Sequence, residues 1–257
     1  MAPRQWFNLE DRVHRRMIRR WASAAGLAGQ MPLSALRRLR GHAGALRAQV
    51  DRFLYVADGR LALPLMGSDR FHRPDGTDWA WRPTPWRGPL PQRGWAGVAT
   101  GTALDPSVTL FHDCPLQEIT LRQTRSNGDT EPAPFAVSLD VFGFAGSFLS
   151  LAIGLPQEGV AGTAKRHLVT LRGAIDTERP LEIFARLNMR FGPNTDQMVL
   201  ELTRGGPDRT ATFDLAYSKM DDRKLEAMWV DLIFEKPEMN RIVVRDLTLC
   251  RHPRAAL

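Results

Sequence analysis

Between residues 108 and 250 the chain consists of short apolar runs separated by turn-forming residues. The separating sequences include RSNGDTEPAP, FGPNT and RGGPDR, which are rich in Gly, Pro, Asn and Asp. These residue types favour the backbone angles of tight turns. Many short strands at this spacing, with few helical windows, are typical of an antiparallel β-sandwich or jelly roll. We predict strands at residues 108–112, 116–123, 135–142, 147–153, 166–172, 182–190, 197–203, 210–217, 228–235 and 241–250.

Two helices are predicted before these strands. Apolar residues recur every four positions in residues 8–25, and they keep a spacing of three and four in residues 33–54. The second pattern is typical of a helix packed against a partner surface. We therefore expect an Arg-rich helical arm at residues 1–50, followed at residues 51–257 by a mainly β domain, an antiparallel sandwich of jelly-roll type.

Two smaller elements are predicted from local patterns. The segment FLYVADGRLALPL, residues 53–65, has the composition of two short strands around a turn at Asp58 and Gly59. Residues 219–227, KMDDRKLEA, are the one stretch of the strand-rich part that we predict as a helical turn.

The positive charge of the chain lies in its first quarter. Residues 1–60 contain twelve Arg and four acidic residues, a net charge of +8, whereas residues 61–257 have a net charge of −1. Basic residues and an indole of the first predicted helix could contact an anionic membrane surface or an anionic protein partner. These residues are Arg12, Arg15, Arg16, Arg19, Arg20 and Trp21.

The basic helix is also compatible with two alternative roles. Its apolar stripe could pack on the sandwich, which would leave the arginines simply solvated. A basic stripe could also neutralise the phosphates of nucleic acid. We do not expect nucleic-acid binding, because no recognition motif is present and the strand-rich part is slightly acidic.

Residues 75–97 form a predicted loop rich in Trp, Pro and Gly. Four of the seven tryptophans of the chain lie in it, at Trp79, Trp81, Trp86 and Trp95. Indole rings on a loop that prolines stiffen could stack on a sugar or on a base. They could equally fill a gap where the loop covers one end of a sheet, provided that each N–H finds an acceptor. We favour core filling as the role of the four indoles, and we keep them as candidate ligand contacts.

Several polar residues fall inside or beside predicted strands. Asn194 and Asp196, in RFGPNTDQ, are candidate ligand contacts, although Asn194 could simply cap the turn there. Asn188 and Asn240 are further polar positions in the strand region. Asp246 lies within the predicted strand VVRDL, and burial of its carboxylate would require Arg245 or another donor.

The sequence indicates no catalytic or metal-binding constellation. His112 and Cys114 fall on one face of a predicted strand, where an imidazole could activate a thiol, but a buried thiol beside a hydrogen-bonded His accounts for the pair as well. The six histidines show no metal-ligand spacing, and we expect no metal and no cofactor. A carboxylate pair among the 28 acidic residues would nevertheless be compatible with a hydrolase.

The expected compartment follows from the cysteines and from the first residues of the chain. Two cysteines provide no disulfide framework and suit a reducing compartment. Acidic and basic residues precede the first apolar run, which is unlike a secretory signal. We expect a cytoplasmic protein that associates peripherally with the inner membrane.

Four phrases carry a resemblance to a known family: GSFLSLAIGLP (146–156), ARLNMRFGPNTDQ (185–197), FDLAY (213–217) and WVDLIFEKPEMNRIVVRDLTL (229–249). From about residue 50 onward the chain resembles an uncharacterised family of alphaproteobacterial proteins without an assigned activity. The closing strand, turn and strand are also similar to the final hairpin of galactose-binding-like jelly rolls, modules often attached to carbohydrate-active enzymes. That second resemblance implies a β-sandwich fold.

These features together lead to one expected function and two alternatives. We expect a non-enzymatic binding or scaffolding protein that recognises a glycan or glycolipid and associates peripherally with a membrane. The first alternative is a carbohydrate-active hydrolase that uses polar residues of a sheet face. The second is a subunit of an assembly, in which the apolar seam of the second helix would be buried between copies.

Overall fold

A computed structural model describes residues 4–66, 71–126, 131–205 and 208–254 of the protein. The chain divides into two compact units at residues 1–54 and 55–257. Four α-helices are described, α1 (Arg4–Leu27), α2 (Leu33–Met66), α3 (Thr84–Arg87) and α4 (Gln157–Val160), together with two short 3-10 helices at Ala28–Gln30 and Leu215–Tyr217. Fourteen strands are described: β1 (Trp79–Trp81), β2 (Gly94–Ala96), β3 (Thr102–Asp105), β4 (Val108–His112), β5 (Ile119–Arg125), β6 (Phe135–Val141), β7 (Leu149–Gly154), β8 (His167–Thr177), β9 (Ile183–Phe191), β10 (Asn194–Glu201), β11 (Thr203–Gly205), β12 (Asp208–Asp214), β13 (Leu225–Phe234) and β14 (Asn240–Pro253).

The strands form two antiparallel sheets. The eight-stranded sheet has the order β11-β12-β8-β14-β6-β5-β2, and β1 pairs with β14 beside this path. The six-stranded sheet has the order β10-β9-β13-β7-β4-β3. The last two strands are central, since β14 lies between β8 and β6 while β13 lies between β9 and β7, as in a jelly roll. The prediction of a mainly β antiparallel sandwich with helices before it is confirmed.

The core lies between the two sheets and follows the two-residue period of the strands. In β9 the buried apolar residues are Ile183, Ala185, Leu187 and Met189, and in β13 they are Met228, Val230, Leu232 and Phe234. Side chains between these positions point to the outer face of the sheet, because successive residues of a strand alternate between faces. The outer face of each sheet can therefore be read directly from the strand register.

An irregularity in β14 changes which residues face the core. The register with β8 shifts between Val244 and Asp246, and such a bulge inserts one extra residue into the strand. Before the bulge, Val244 is buried in the core, and after it Leu247 and Leu249 are. Asp246 and Thr248 therefore point to the outer face of the eight-stranded sheet.

The predicted strands around Asp58 and Gly59 are wrong. Helix α2 continues without interruption from Leu33 to Met66 and includes both residues. Leu, Ala and Arg have high helix propensity, and extending an existing helix avoids the cost of a new nucleus. One glycine costs a helix only about 1 kcal/mol, so Gly59 does not end it.

The predicted helical turn at residues 219–227 is also wrong. Strand β13 begins at Leu225, and the residues before it form a turn. In that turn the carboxylate of Asp221 accepts a hydrogen bond from the N–H of Arg223, and the Asp221 carbonyl accepts one from Lys224. The aspartate thereby closes a local turn instead of starting a helix.

The Trp/Pro segment at residues 75–97 is more ordered than a simple loop. It contains the short strands β1 and β2 and the single-turn helix α3. Pro83 precedes α3 with an extended backbone, and the helix carries a proline in its first turn, where no N–H is needed. The prolines thus fix the backbone conformation of the segment where it runs along the edge of the sandwich.

Candidate functional site

All four indoles of the Trp/Pro segment lie on the core side of the sandwich. Trp79 pairs with Arg251 and Trp81 pairs with Leu249, whose side chain is buried in the core. The two rings pack against the core and stack on each other, with centroids 6.3 Å apart and planes inclined by 27°. Both are half-buried. The two rings therefore cover one border of the sandwich core. This is the core-filling role, one of the two roles considered from the sequence.

Trp86 and Trp95 belong to the same interior. Trp86 has no exposed surface, and its Nε1 donates a hydrogen bond to the carbonyl of Val244 at 2.8 Å. A ring without accessible surface cannot contact a ligand, so the expectation for Trp86 has to be corrected to a core position. Trp95 is half-buried and pairs with the buried Leu121, which places it on the core side as well.

Asn194 and Asp196 lie on β10, at the edge of the other sheet. Asn194 is exposed and pairs with Phe191 as the first residue of the strand, so the turn itself is formed by Gly192 and Pro193. The φ of Gly192 is +54°, which favours glycine. The carboxylate of Asp196 accepts a hydrogen bond from the N–H of Lys219 at 2.6 Å. The structure does not bring these residues together with the indoles of the Trp/Pro segment, which are in strands β1 and β2 of the eight-stranded sheet and in helix α3.

The basic helix presents both charged and apolar side chains to solvent. Arg15, Arg16, Arg19 and Arg20 are exposed, and Trp21 is half-buried. The side chain of Arg12 lies outside the described residues. Nearby apolar side chains are exposed too: Val13 by 58%, Met17 by 41% and Ile18 by 54%.

The backbone occupies both ring nitrogens of His112. Its Nε2 is 2.9 Å from the carbonyl of Val98, and its Nδ1 accepts a hydrogen bond from the N–H of Cys114 at 3.2 Å. The thiol of Cys114 is itself buried and accepts a hydrogen bond from the N–H of Ala145 at 3.3 Å. A pair held in this way stabilises the strand end, as expected for a buried thiol beside a hydrogen-bonded His.

The outer face of the six-stranded sheet carries a polar cluster around one indole. We call the surface formed by Arg186, Asn188, Trp229 and Asp231 the Trp229 face. Asn188 pairs with Trp229, and Arg186 pairs with Asp231, so the four side chains share one face of two neighbouring strands. Trp229 is half-buried and stands opposite Gly154 of β7, where no side chain competes for space.

Hydrogen bonds hold the polar members of the Trp229 face in place. The Oδ2 of Asp231 accepts hydrogen bonds from Nε of Arg186 and from Nδ2 of Asn188, both at 2.9 Å, and the Nη2 of Arg186 forms an ion pair with it at 2.9 Å. Asp231 is only 5% exposed and Asn188 only 1%. A buried carboxylate with an Arg and an amide as donors is a fixed arrangement, because breaking it would leave an unpaired charge. Among the described residues, the Oδ1 of Asn188 is buried without a hydrogen-bond partner.

Apolar side chains extend this face in both directions. Val199 of β10, 55% exposed, pairs with Arg186 at one end. Phe111 of β4, 40% exposed, pairs with Ser150 of β7, which in turn pairs with Ile233. Five adjacent strands therefore contribute to one mixed polar and aromatic surface.

Sequence reasoning missed most of this surface, although a signal for it is present. In the peptide WVDLIF, Trp229 and Asp231 alternate with the buried Val230 and Leu232. The two-residue period of a strand puts Trp229 and Asp231 on the same side, facing away from the core. The sequence indicates Asn188 as a polar strand position, but its neighbours follow only from the pairing of β9 with β13.

The described part of the chain holds neither a membrane-spanning helix nor a metal cluster. No described helix is long and apolar enough to cross a membrane. Within residues 4–66, 71–126, 131–205 and 208–254, no group of three or more His, Cys, Asp and Glu side chains could hold a metal ion.

Solved structures of several proteins are similar to part of the chain. The enzymatically active domain of tailspike protein 4 from bacteriophage CBA120 aligns with a TM-score of 0.40 at 6% identity, over 58% of this chain and 20% of that chain. The CBM22-1 xylan-binding domain from Paenibacillus barcinonensis gives a TM-score of 0.39 at 8% identity, over 63% and 94%. The family 11 carbohydrate-binding module from Clostridium thermocellum, in complex with a β-1,3-1,4-mixed-linked tetrasaccharide, gives 0.37 at 12% identity, over 56% and 89%.

The chain spans about a fifth of the length of that tailspike structure. No curated protein matches the sequence. The resemblance to a family without an assigned activity is confirmed, and it extends to the first residues of the chain as well. Over residues 1–257 the chain matches the model of DUF6478, a family of unknown function, and it belongs to that family.

Proposed function

We propose that the protein is a binding protein that recognises a glycan chain through the Trp229 face. The observation that carries this proposal is the half-buried indole of Trp229 beside the fixed Arg186–Asp231 ion pair on an outer sheet face. The site differs from the one expected from the sequence, since the four indoles of the Trp/Pro segment face the core.

The chemistry of the Trp229 face matches that of a sugar. A pyranose ring has C–H-rich faces, which pack on the flat apolar surface of an indole. Its hydroxyl groups both donate and accept hydrogen bonds, and Arg186, whose side chain is 38% exposed beside the buried Asp231, offers charged donors, whose hydrogen bonds are stronger than neutral ones. Because these groups are already held in place, little entropy is lost when a ligand orders them.

The dimensions of the face favour a chain of sugars over a single ring. Val199 and Phe111 lie on the first and last of five adjacent strands, with Trp229 on the middle strand. Neighbouring strands are about 4.8 Å apart, so the surface extends over about 19 Å. An extended oligosaccharide could cross the strands with one ring on the indole and others beside Val199 and Phe111.

A glycan array probed with full-length protein tests this proposal. We expect binding to one class of linear oligosaccharide, and we expect Trp229→Ala to abolish it. Tyr217→Ala is the matched control, because Tyr217 is an aromatic residue 76% exposed that lies outside the Trp229 face. Binding that survives Trp229→Ala, or an array without any bound glycan, would contradict the proposal.

We further propose that the helical arm attaches the protein to an anionic membrane surface. Residues 12–50 contain nine Arg and no acidic residue. None of the described side chains in residues 13–54 is buried. Exposed apolar side chains beside exposed arginines suit the boundary between lipid headgroups and acyl chains, where each basic residue contributes about 1 kcal/mol.

Vesicle co-sedimentation tests the attachment. We expect full-length protein to bind phosphatidylglycerol vesicles and to dissociate from them at high salt. We expect no binding to phosphatidylcholine vesicles. The quadruple change of Arg15, Arg16, Arg19 and Arg20 to Glu should remove binding. Equal sedimentation of both proteins would refute the attachment, and an oligomer in the absence of vesicles would favour the assembly-subunit alternative.

A further inference from the structure

A cavity of about 130 Å³ opens on the outer face of the eight-stranded sheet, on the opposite side of the sandwich from the Trp229 face. Its floor is formed by outward-facing residues of three adjacent strands. Arg172 of β8 pairs with Thr248 of β14, Ala174 of β8 pairs with Asp246 of β14, and Asp208 comes from β12. The bulge in β14 turns Asp246 and Thr248 toward this side.

The cavity exists because another segment covers this part of the sheet. Asp246, Thr248 and Ala174 are 8%, 3% and 3% exposed, although they point away from the core. Phe71 and Pro132 line the cavity from the side of the covering segments. His72 lines the cavity as well, so a polar floor with walls of Phe71, Pro132 and His72 is built into the fold.

Two ion pairs fix the carboxylates of the floor. Asp246 accepts from Nε and Nη2 of Arg82, both at 2.8 Å, and Arg82 also donates to the carbonyl of Pro132 at 2.9 Å. The guanidinium of Arg82 lies 5.1 Å from the centroid of the Phe71 ring. Arg82 thus contacts both Phe71 of the wall and Asp246 of the floor. Arg172 donates two hydrogen bonds to the same oxygen of Asp208, Oδ2.

The charges of the floor balance, and this limits the class of ligand. Each carboxylate of the floor has an Arg partner, so the floor itself offers a charged ligand no excess of opposite charge. A carboxylate has about four acceptor positions, so Asp208 and Asp246 keep the capacity to accept hydrogen bonds from a ligand. Thr248 adds a hydroxyl, and Phe71 adds an apolar ring face. A neutral ring that carries hydroxyl groups would satisfy all of these groups.

The volume sets the size of the ligand. A protein cavity of about 150 Å³ accommodates benzene, and a hexose has about twice as many heavy atoms, so this open cavity of 130 Å³ takes up one sugar ring only in part and has no room for a chain. We propose that this cavity binds a single sugar ring or a cyclic polyol, as a site separate from the Trp229 face. The proposal stands whether or not the Trp229 face binds a glycan, because the two sites belong to different sheets.

Full-length protein should be titrated with free D-glucose, D-galactose, D-mannose, D-xylose and myo-inositol, by saturation-transfer NMR and then by calorimetry. We expect at least one of them to bind. Ala174→Leu fills the cavity without removing a polar group, and it should weaken that binding at least about tenfold. Thr212→Val is the control, because Thr212 is exposed on the same sheet and outside the cavity lining.

Two more variants make the result decisive. Asp208→Asn keeps the shape of the side chain and should also weaken binding. This variant therefore tests the cavity even if Ala174→Leu does not fold. Trp229→Ala should leave monosaccharide binding unchanged, which separates this site from the glycan proposal. The proposal is overturned if no compound of the panel binds at millimolar concentration, if binding survives both cavity variants, or if a charged sugar such as glucosamine is strongly preferred.

Discussion

The indole of Trp79 lies against the backbone of Gly159, so closely that a Cβ at position 159 would overlap the ring. Gly159 belongs to α4, and its carbonyl accepts hydrogen bonds from Thr163 and from Arg251. This contact joins the Trp/Pro segment to α4 and to the last strand. It explains why an indole that the sequence offers as a ligand contact is used for packing.

Gly159→Ala should therefore destabilise the protein by about 1–3 kcal/mol, the usual cost of overpacking. The matched change is Gly88→Ala, since Gly88 has an extended backbone and no atom near its missing Cβ. Urea unfolding followed by fluorescence measures both variants. Equal stability of the two would show that Trp79 does not pack as described.

The buried pair of Arg82 and Asp246 predicts a strongly asymmetric mutational effect. Arg82→Met leaves the carboxylate of Asp246 buried without its main donor, which costs about 3–5 kcal/mol. The double change Arg82→Met with Asp246→Leu removes both charges and should be less destabilising than the single change. Denaturant unfolding of wild type, single and double variants tests this, and a double variant that is less stable than the single one would argue against it.

His167 should make the stability of the protein depend on pH near neutrality. Burial lowers the pKa of His167 below its usual value, and this effect outweighs the opposing charge of Asp78. As the pH falls through about 6.5, the unfolded chain binds a proton more readily than the folded protein, so the free energy of unfolding decreases.

The comparison with His167→Gln isolates this contribution. The free energy of unfolding of wild type should fall more steeply between about pH 7.5 and pH 5.5 than that of the variant, which has no titrating group at this position. Chemical denaturation at several pH values measures both slopes. Parallel curves for the two proteins would mean that His167 does not titrate differently in the folded state.

The sandwich itself could be predicted because its signals are local. Apolar runs such as VTLFH and turn sequences such as FGPNT each specify a strand or a turn from a few residues, and β4 spans residues 108–112 as predicted. The extension of α2 to Met66 does not follow from the sequence, because FLYVADGRLALPL has both a turn dipeptide and good helix formers. Whether such a segment is helical depends on the helix that precedes it.

The candidate sites depend on relations that the sequence does not display. The sequence predicts that a buried Asp246 needs a donor such as Arg245, but its partner is Arg82, which is 164 residues away in the chain. Asn188 and Trp229 are neighbours only through the register of β9 with β13. A bulge and a strand register are products of the whole sandwich, so single-strand reasoning identifies the polar residue and misses its partners.

The most direct test of the glycan-binding account is a calorimetric titration of full-length protein with the linear oligosaccharide that the array selects. We expect Trp229→Ala to weaken binding at least about tenfold, which corresponds to about 1.4 kcal/mol, while Tyr217→Ala and Trp95→Phe keep the wild-type affinity. Wild-type affinity in Trp229→Ala, or a loss confined to the indoles of the Trp/Pro segment, would contradict the assignment of the site to the outer face of the six-stranded sheet.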